Sequence, residues 1–290
     1  MKPAKLLAAA ALVALLLATG CHPKRPKEKA GPTEVVPVAT LYAKGQEALR
    51  KKRPATARKD FDQIALREDA GEYKDKAAIA TADSYFQEGT IEAYAEAISR
   101  YQAFLAFHPT HAEAAYCQFQ IGEAYFLEME TPDRDTAPAL RSRDAFQALI
   151  ENYPSSQYAA QAAKKLAAVN DLLAAHEIKV GDWYLKNDHP MSAIGRYRYV
   201  VEKYPKYWNM PLVYSRLGEA LYRNGQDKEA LLYFTRIVQE VPGTVLAKNA
   251  QRSIARIEKR EGTKASKDKT IFKEPLVPPK KQKHWWEFWK

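Results

Sequence analysis

Between residues 35 and 261 the apolar and small side chains fall into one frame that the chain repeats several times. Gly181, Tyr184, Ala193, Tyr197, Val200 and Pro205 return, each 37 positions later, as Gly218, Leu221, Ala230, Phe234, Ile237 and Pro242. In both copies twelve residues separate Gly from Ala, and twelve separate Ala from Pro. The aromatic four residues after the Ala lies on the same helical face as that Ala. The Pro stops the second helix, because its ring blocks continuation and it has no N–H to donate. Small Gly and Ala belong where two helices cross, since only a short side chain lets the backbones approach. The frame predicts two antiparallel helices per copy, A and then B.

Three earlier copies are looser. Ala82, Tyr85, Ala97, Tyr101, Phe104 and Pro109 form one, with three extra residues expected in its turn. Gly122, Tyr125, Phe146, Leu149 and Pro154 form another, with eight extra residues between its helices. Gly45, Ala57, Phe61 and Ile64 form the first, which lacks the closing Pro. A last helix, about residues 245–260, carries Leu246, Ala250, Ile254 and Ile257 on one stripe and reads as a solvating cap. The frame resembles the tetratricopeptide repeat. That implies an all-α fold, a tetratricopeptide-repeat solenoid of about five helical hairpins plus a capping helix over residues 35–261. Residues 22–34 are rich in Pro and Lys and read as a linker, with a reach of about 40 Å. Residues 262–290 lose the periodicity and read as a basic, Trp-rich disordered tail.

The composition is 46% hydrophobic and 28% charged, ordinary for a folded domain. The net charge of +10 suggests nucleic acid until it is located. Residues 262–290 hold +5 of it, residues 22–34 hold +2 and the first twenty residues +2, so residues 35–261 net only +1. Basic ends on a near-neutral core argue against a nucleic-acid face and suit an anionic membrane surface.

Lys2 and Lys5 precede a twelve-residue apolar run from Leu6 to Leu17, too short to span a bilayer. With Leu17-Ala18-Thr19-Gly20-Cys21 after it, this reads as a signal peptide over residues 1–20. The stretch resembles a bacterial lipobox, which implies cleavage after Gly20 and lipid on Cys21. Ala18 stands where Leu is usual. His22, rather than the Asp that retains lipoproteins in the inner membrane of enteric bacteria, points to the outer membrane. The one other cysteine, Cys117, lies in an Ala- and aromatic-rich helix and reads as a buried small hydrophobe.

Catalytic signatures are missing: there is no G-x-S-x-G, H-E-x-x-H, P-loop or Gly-rich dinucleotide turn. His108 and His111 flank Pro109 in a repeat-end loop and make a poor metal site without a third ligand. His176 and Glu177 read as a solvated helix start, and Glu128 and Glu130 as loop acids with no apolar pocket. No cofactor, metal or enzymatic activity is expected. The insertion Asp133-Arg134-Asp135 reads either as a solvated loop or as a partner-docking loop.

The lipobox, five such repeats, Asp133-Arg134-Asp135 ahead of Ala145-Phe146, and the run from Glu151 to Ala159 together resemble the BamD (YfiO-type) lipoprotein family of the outer-membrane β-barrel assembly complex. The resemblance spans about residues 35–260. It implies a non-catalytic, lipid-anchored subunit on the periplasmic face of the outer membrane. Its implied partners are unfolded outer-membrane proteins, a POTRA domain of a BamA-like barrel protein, and other assembly lipoproteins. Carried over, Tyr42, Tyr85, Phe86 and Tyr125 are candidates for the substrate groove, and Arg196 for the POTRA contact. An envelope repeat lipoprotein that coordinates cell division or peptidoglycan-linked complexes is the competing reading. Trp285, Trp286, Phe288 and Trp289, behind a Lys cluster, lie outside the family pattern and suit a bilayer surface or a partner's apolar groove.

Overall fold

The computed structural model of the chain describes residues 36–261, with side chains to residue 259. The lipobox, Cys21, the linker and the tail with Trp285, Trp286, Phe288 and Trp289 lie outside the described residues. The helices are α1 Val38–Arg50, α2 Pro54–Ala65, α3 Tyr73–Glu88, α4 Ile91–Phe107, α5 Ala114–Leu127 and α6 Ala137–Asn152. They continue as α7 Ala159–Lys186, α8 Pro190–Lys203, α9 Met210–Arg223, α10 Asp227–Glu240 and α11 Val245–Glu261, with a 3-10 turn Glu68–Ala70 after α2. This is the all-α solenoid the frame predicts: five A/B hairpins, α1/α2 through α9/α10, closed by α11. Each helix packs on the next in sequence, and each A helix also touches the A helix of the following repeat.

One contact recurs in four of the five hairpins. A Cβ placed on Gly45 would lie 2.3 Å from the Phe61 ring, and one on Gly122 would lie 2.6 Å from Phe146. The matching values are 2.6 Å for Gly181 against Tyr197 and 2.9 Å for Gly218 against Phe234. The small residue of helix A therefore leaves room for the ring of its own helix B, not merely for a backbone. The second repeat has Ala82 there, opposite Tyr101. The third has Ser142 at the helix-B small position, fully buried, with its hydroxyl donating to the Gly122 carbonyl at 2.9 Å.

Where the ring is Tyr, the residue after the small one is Asp. Tyr101 donates to Asp83 and Tyr197 to Asp182, both at 2.6 Å. Where the ring is Phe, that position holds Gln46, Glu123 or Glu219. A buried phenol needs an acceptor, and Asp is short enough to reach it inside the hairpin.

The turns are built alike. Seven residues after the small residue stand Lys52, Gly89, Asp188 and Gly225, all left-handed with φ between 55° and 76°. Two of the four hairpins supply Gly there, and two hold a side chain in that conformation at a cost. Helices α4, α6, α8 and α10 end on His108, Tyr153, Tyr204 and Val241, each before a Pro, with φ from −131° to −125° and ψ of 52–54°. A following proline excludes the α region and enforces this geometry. The first repeat, without its Pro, instead ends on an α-conformation Leu66 and runs into the 3-10 turn.

Two lengths depart from expectation. The three extra residues of the second repeat lie not in its turn but at the start of α4, which has 17 residues against 14 in α8 and α10. α7 has 28 residues. The signal was present as a gap of 27 positions from Pro154 to Gly181, where Pro205 to Gly218 spans 13. Fourteen extra residues are about four helical turns. The core follows this asymmetry. One buried cluster runs from Phe119 to Ile257, while two smaller ones serve residues 38–80 and 79–145.

Gly122→Val should therefore drive a branched side chain into the Phe146 ring and lower stability by about 1–3 kcal/mol. Gly195→Ala, on the exposed face of α8 with nothing within 4 Å, should raise it by about 0.5–1 kcal/mol. Urea unfolding of both variants checks the pair.

Candidate interaction surfaces

The long α7 organises the middle of the molecule. Its second half is the A helix of the fourth repeat, and its side chains hold the insertion that joins α5 to α6. Pro132 is buried, and its carbonyl accepts from Nδ1 of His176 at 2.7 Å. Lys179 pairs with Asp133 at 2.8 Å, and that lysine together with Thr131 holds the Asp133 carboxyl down at about 2. Asp135 accepts from the Ala137 N–H at 2.9 Å and starts α6. Both acids of the insertion are thus engaged internally. Arg134, in a turn closed by its N–H on the Thr131 carbonyl, is exposed and reaches only Glu130, at 3.9 Å. His176 is accordingly a half-buried anchor in the middle of a helix, not a solvated helix start.

Glu177, the next residue, faces the other way. It is mostly buried and accepts from Arg196 on α8 at 3.0 Å. Arg196 points outward, as the frame required, with the buried Tyr197 beside it. The ion pair fixes the guanidinium rather than consuming it, because Arg196 remains almost half exposed. Around it α8 presents Met191, Gly195 and Tyr199, all exposed.

The four groove candidates separate onto different faces. Tyr42 lies on the A-helix ladder, packed against Phe61 and against Tyr73 at 5.5 Å between ring centroids. Phe86 rests on Tyr94 inside its own hairpin. Tyr85 and Tyr125 stand on the B-helix side. Tyr85 lies beneath two guanidiniums, Arg58 at 4.2 Å and Arg100 at 5.0 Å. Tyr125 lines a groove between α4 and α6, with Arg141 at 5.7 Å from its ring. These four residues do not form one groove.

The A-helix ladder holds aromatics that the repeat frame did not single out. Tyr116 of α5 donates to Asp83 of α3 at 2.8 Å and packs on Tyr158, which stacks on Phe119. Tyr73, Tyr116 and Tyr158 all sit at the start of A helices. A clustering of Tyr at those starts was the available sequence signal. Burial raises the Asp83 carboxyl above the usual range, against the pull of two phenol donors.

The remaining candidates are structural. Cys117 is fully buried, and burial pushes its thiol up to about 12. His108 stacks on Phe104, and His111 meets that ring edge-on. Glu128, expected as a loop acid with no apolar pocket, is half-buried, and burial raises its carboxyl. Among the described residues no helix is long and apolar enough to cross a membrane.

The model of the YfiO family, described as an outer membrane lipoprotein, matches residues 35–230. The chain belongs to the YfiO family. Among curated relatives, the outer membrane protein assembly factor BamD of Rickettsia prowazekii (strain Madrid E) is 30% identical over 244 residues, covering 84% of this chain and 94% of its own. BamD of Caulobacter vibrioides is 31% identical over 225 residues, 77% of this chain and 71% of that one. BamD of Xylella fastidiosa (strain 9a5c) is 26% identical over 224 residues. A solved complex of the TPR2AB domain of yeast Sti1 aligns over 78% of this chain and 91% of its own, at 14% identity and a TM-score of 0.39. The YfiO match begins just ahead of α1 and stops inside α10, so it takes in the insertion, the long α7 and Arg196, and leaves out α11 and the tail.

α7 also buries Asp171 against the loop between α8 and α9. Burial lifts its carboxyl to about 6, and the Trp208 backbone N–H only partly offsets this. The folded state holds that proton more tightly than the unfolded chain. The cost of burying the carboxylate is therefore present in full above pH 6 and is relieved as the pH falls from 6 towards 4. Asp171→Asn should abolish that part of the pH dependence and stabilise the protein at pH 7.5 more than at pH 4.5. Urea midpoints at the two pH values measure it.

Proposed function

We propose that this protein is an outer membrane protein assembly factor that works by binding, without covalent chemistry, as a lipoprotein subunit of the β-barrel assembly machinery. Membership of the YfiO family, with curated BamD relatives matched over most of their length, carries the reading. Cys21 holds the chain to the outer membrane by lipid, and the solenoid faces the periplasm. The C-terminal repeats dock a POTRA domain of a BamA-like protein, and the N-terminal repeats receive unfolded outer-membrane proteins. Other assembly lipoproteins complete the complex.

The geometry supports the division of labour. Arg196 is an exposed cation whose direction is set by Glu177 at 3.0 Å, on a rigid helix. A pre-oriented guanidinium loses little entropy on meeting a carboxylate or carbonyl. On the A-helix ladder, Tyr42, Tyr73, Tyr116 and Tyr158 are all half-buried. Each offers a ring face and a polar tip, which suits extended chains of varied sequence. The insertion offers Arg134 from a loop fixed at Pro132 and Asp133.

Arg196→Gln, which removes the cation and keeps a donor for the Glu177 carboxylate, should leave the fold intact and weaken the POTRA contact at least tenfold. Affinity capture from detergent-solubilised membranes, read as recovery of the barrel partner, tests it. Undiminished recovery would remove Arg196 from the contact, and absence of any POTRA-bearing protein from the wild-type capture would remove the assembly role itself.

A further inference from the structure

α8 keeps a glycine that nothing inside the molecule requires. Gly195 lies in mid-helix, and a Cβ there would meet nothing within 4 Å. Its φ is that of ordinary helix, so no left-handed turn demands it. Gly45, Gly122, Gly181 and Gly218 each face a ring, whereas Gly195 faces solvent. The repeat frame does not ask for it either. Two residues past the small position of helix B, the other four repeats hold Lys59, Ser99, Asp144 and Leu232. A glycine in such a place weakens its helix, and what it provides is bare main chain that a second chain can approach closely.

The residues around it have the make-up of a contact. Met191 and Tyr199 stand one turn before and one turn after it on the same face, 63% and 41% exposed. Gly195 is therefore a low point between two large apolar side chains. The Tyr199 ring is held edge-on by the buried Tyr204, at 6.0 Å between centroids. Arg196 follows directly, its guanidinium aimed by Glu177 at 3.0 Å. Met, Tyr and Arg are the side chains that interface centres favour, and side chains already held in place lose little freedom on binding.

Continuity with Arg196 selects the occupant, and the inference rests on the reading that Arg196 meets the POTRA domain. Met191 to Tyr199 covers about 12 Å of helix. That length fits within one partner's share of a standard interface, about 800 Å². A domain that places an acceptor on Arg196 therefore also lies over Gly195. We propose that the POTRA domain lays a stretch of its main chain across Gly195, with apolar side chains against Met191 and Tyr199 and a carboxylate on Arg196. Gly195 then sets how closely the two folds approach, and any side chain at that position holds them apart.

The test compares Gly195→Leu with Arg196→Gln in the full chain, each captured from detergent-solubilised membranes. Gly195→Leu gives α8 the residue that α10 holds at the same frame position. It removes a poor helix former, so the urea midpoint should rise. Recovery of the barrel partner should nevertheless fall about tenfold or more, which a stabilised fold does not explain. In a second measurement, p-benzoylphenylalanine in place of Tyr199 should crosslink on irradiation to peptides of the POTRA domain. A smaller loss of recovery overturns the inference, as does a crosslink from residue 199 to lipid or to another protein, or none at all. Should the midpoint of Gly195→Leu fall instead, the crosslink alone decides. If the inference fails while Arg196→Gln still lowers recovery, the POTRA contact stands without Gly195. If the wild-type chain recovers no POTRA-bearing protein, both fall together.

Discussion

The hairpins of this solenoid depend on an aromatic ring seated in the space that a small residue leaves on the preceding helix. At Gly45, Gly122, Gly181 and Gly218 the ring of the following helix occupies the volume a side chain would need. That contact sets the distance and angle of each hairpin. The hairpin in turn fixes where its outward residues point, so Arg196, one position before the buried Tyr197, faces solvent because Tyr197 faces Gly181. Surface geometry here is a consequence of interior geometry. The two Asp–Tyr pairs show the same rule with a polar addition, in which each phenol stands where an Asp follows the small position and accepts from its hydroxyl.

The second determinant is α7. Its second half places His176 and Lys179 under the insertion, and Glu177 under Arg196. One turn of one helix, from His176 to Lys179, thereby holds the loop of the third repeat and the exposed cation of the fourth. A change in the insertion and a change at α8 act on the same rod.

Much of this was readable from residue types alone. The Gly, Ala, aromatic and Pro spacing gave the hairpins and their order, because steric exclusion leaves few residues able to fill those positions. The left-handed turn was half visible in Gly89 and Gly225, and hidden where Lys52 and Asp188 take the same conformation. The long helix is hidden because the repeating frame marks the copies and not the gaps between them. The groove candidates dispersed for a related reason. Tyr85 and Tyr125 are aromatics of the N-terminal repeats, but three residues after the small position a side chain turns to the B-helix side. The pairing of Arg196 with Glu177 joins residues nineteen apart on two helices and had no local sequence signature. The near-neutral total concealed an acidic middle, since summation over the domain discards position.

The division of the core has a thermodynamic corollary. An array of equal repeats unravels link by link, each hairpin costing much the same to open. Here α7 lends side chains from Ala162 to Leu185 to a single cluster that extends from Phe119 to Ile257. The helices from α7 onward draw on that one cluster, while α5 and α6 divide their buried side chains between it and the cluster they share with α3 and α4. The first hairpins rest on two small clusters and sit at the low end of the local-unfolding scale. Shared packing is thus concentrated at one end of the array and divided at the other, and resistance to local opening is expected to follow it.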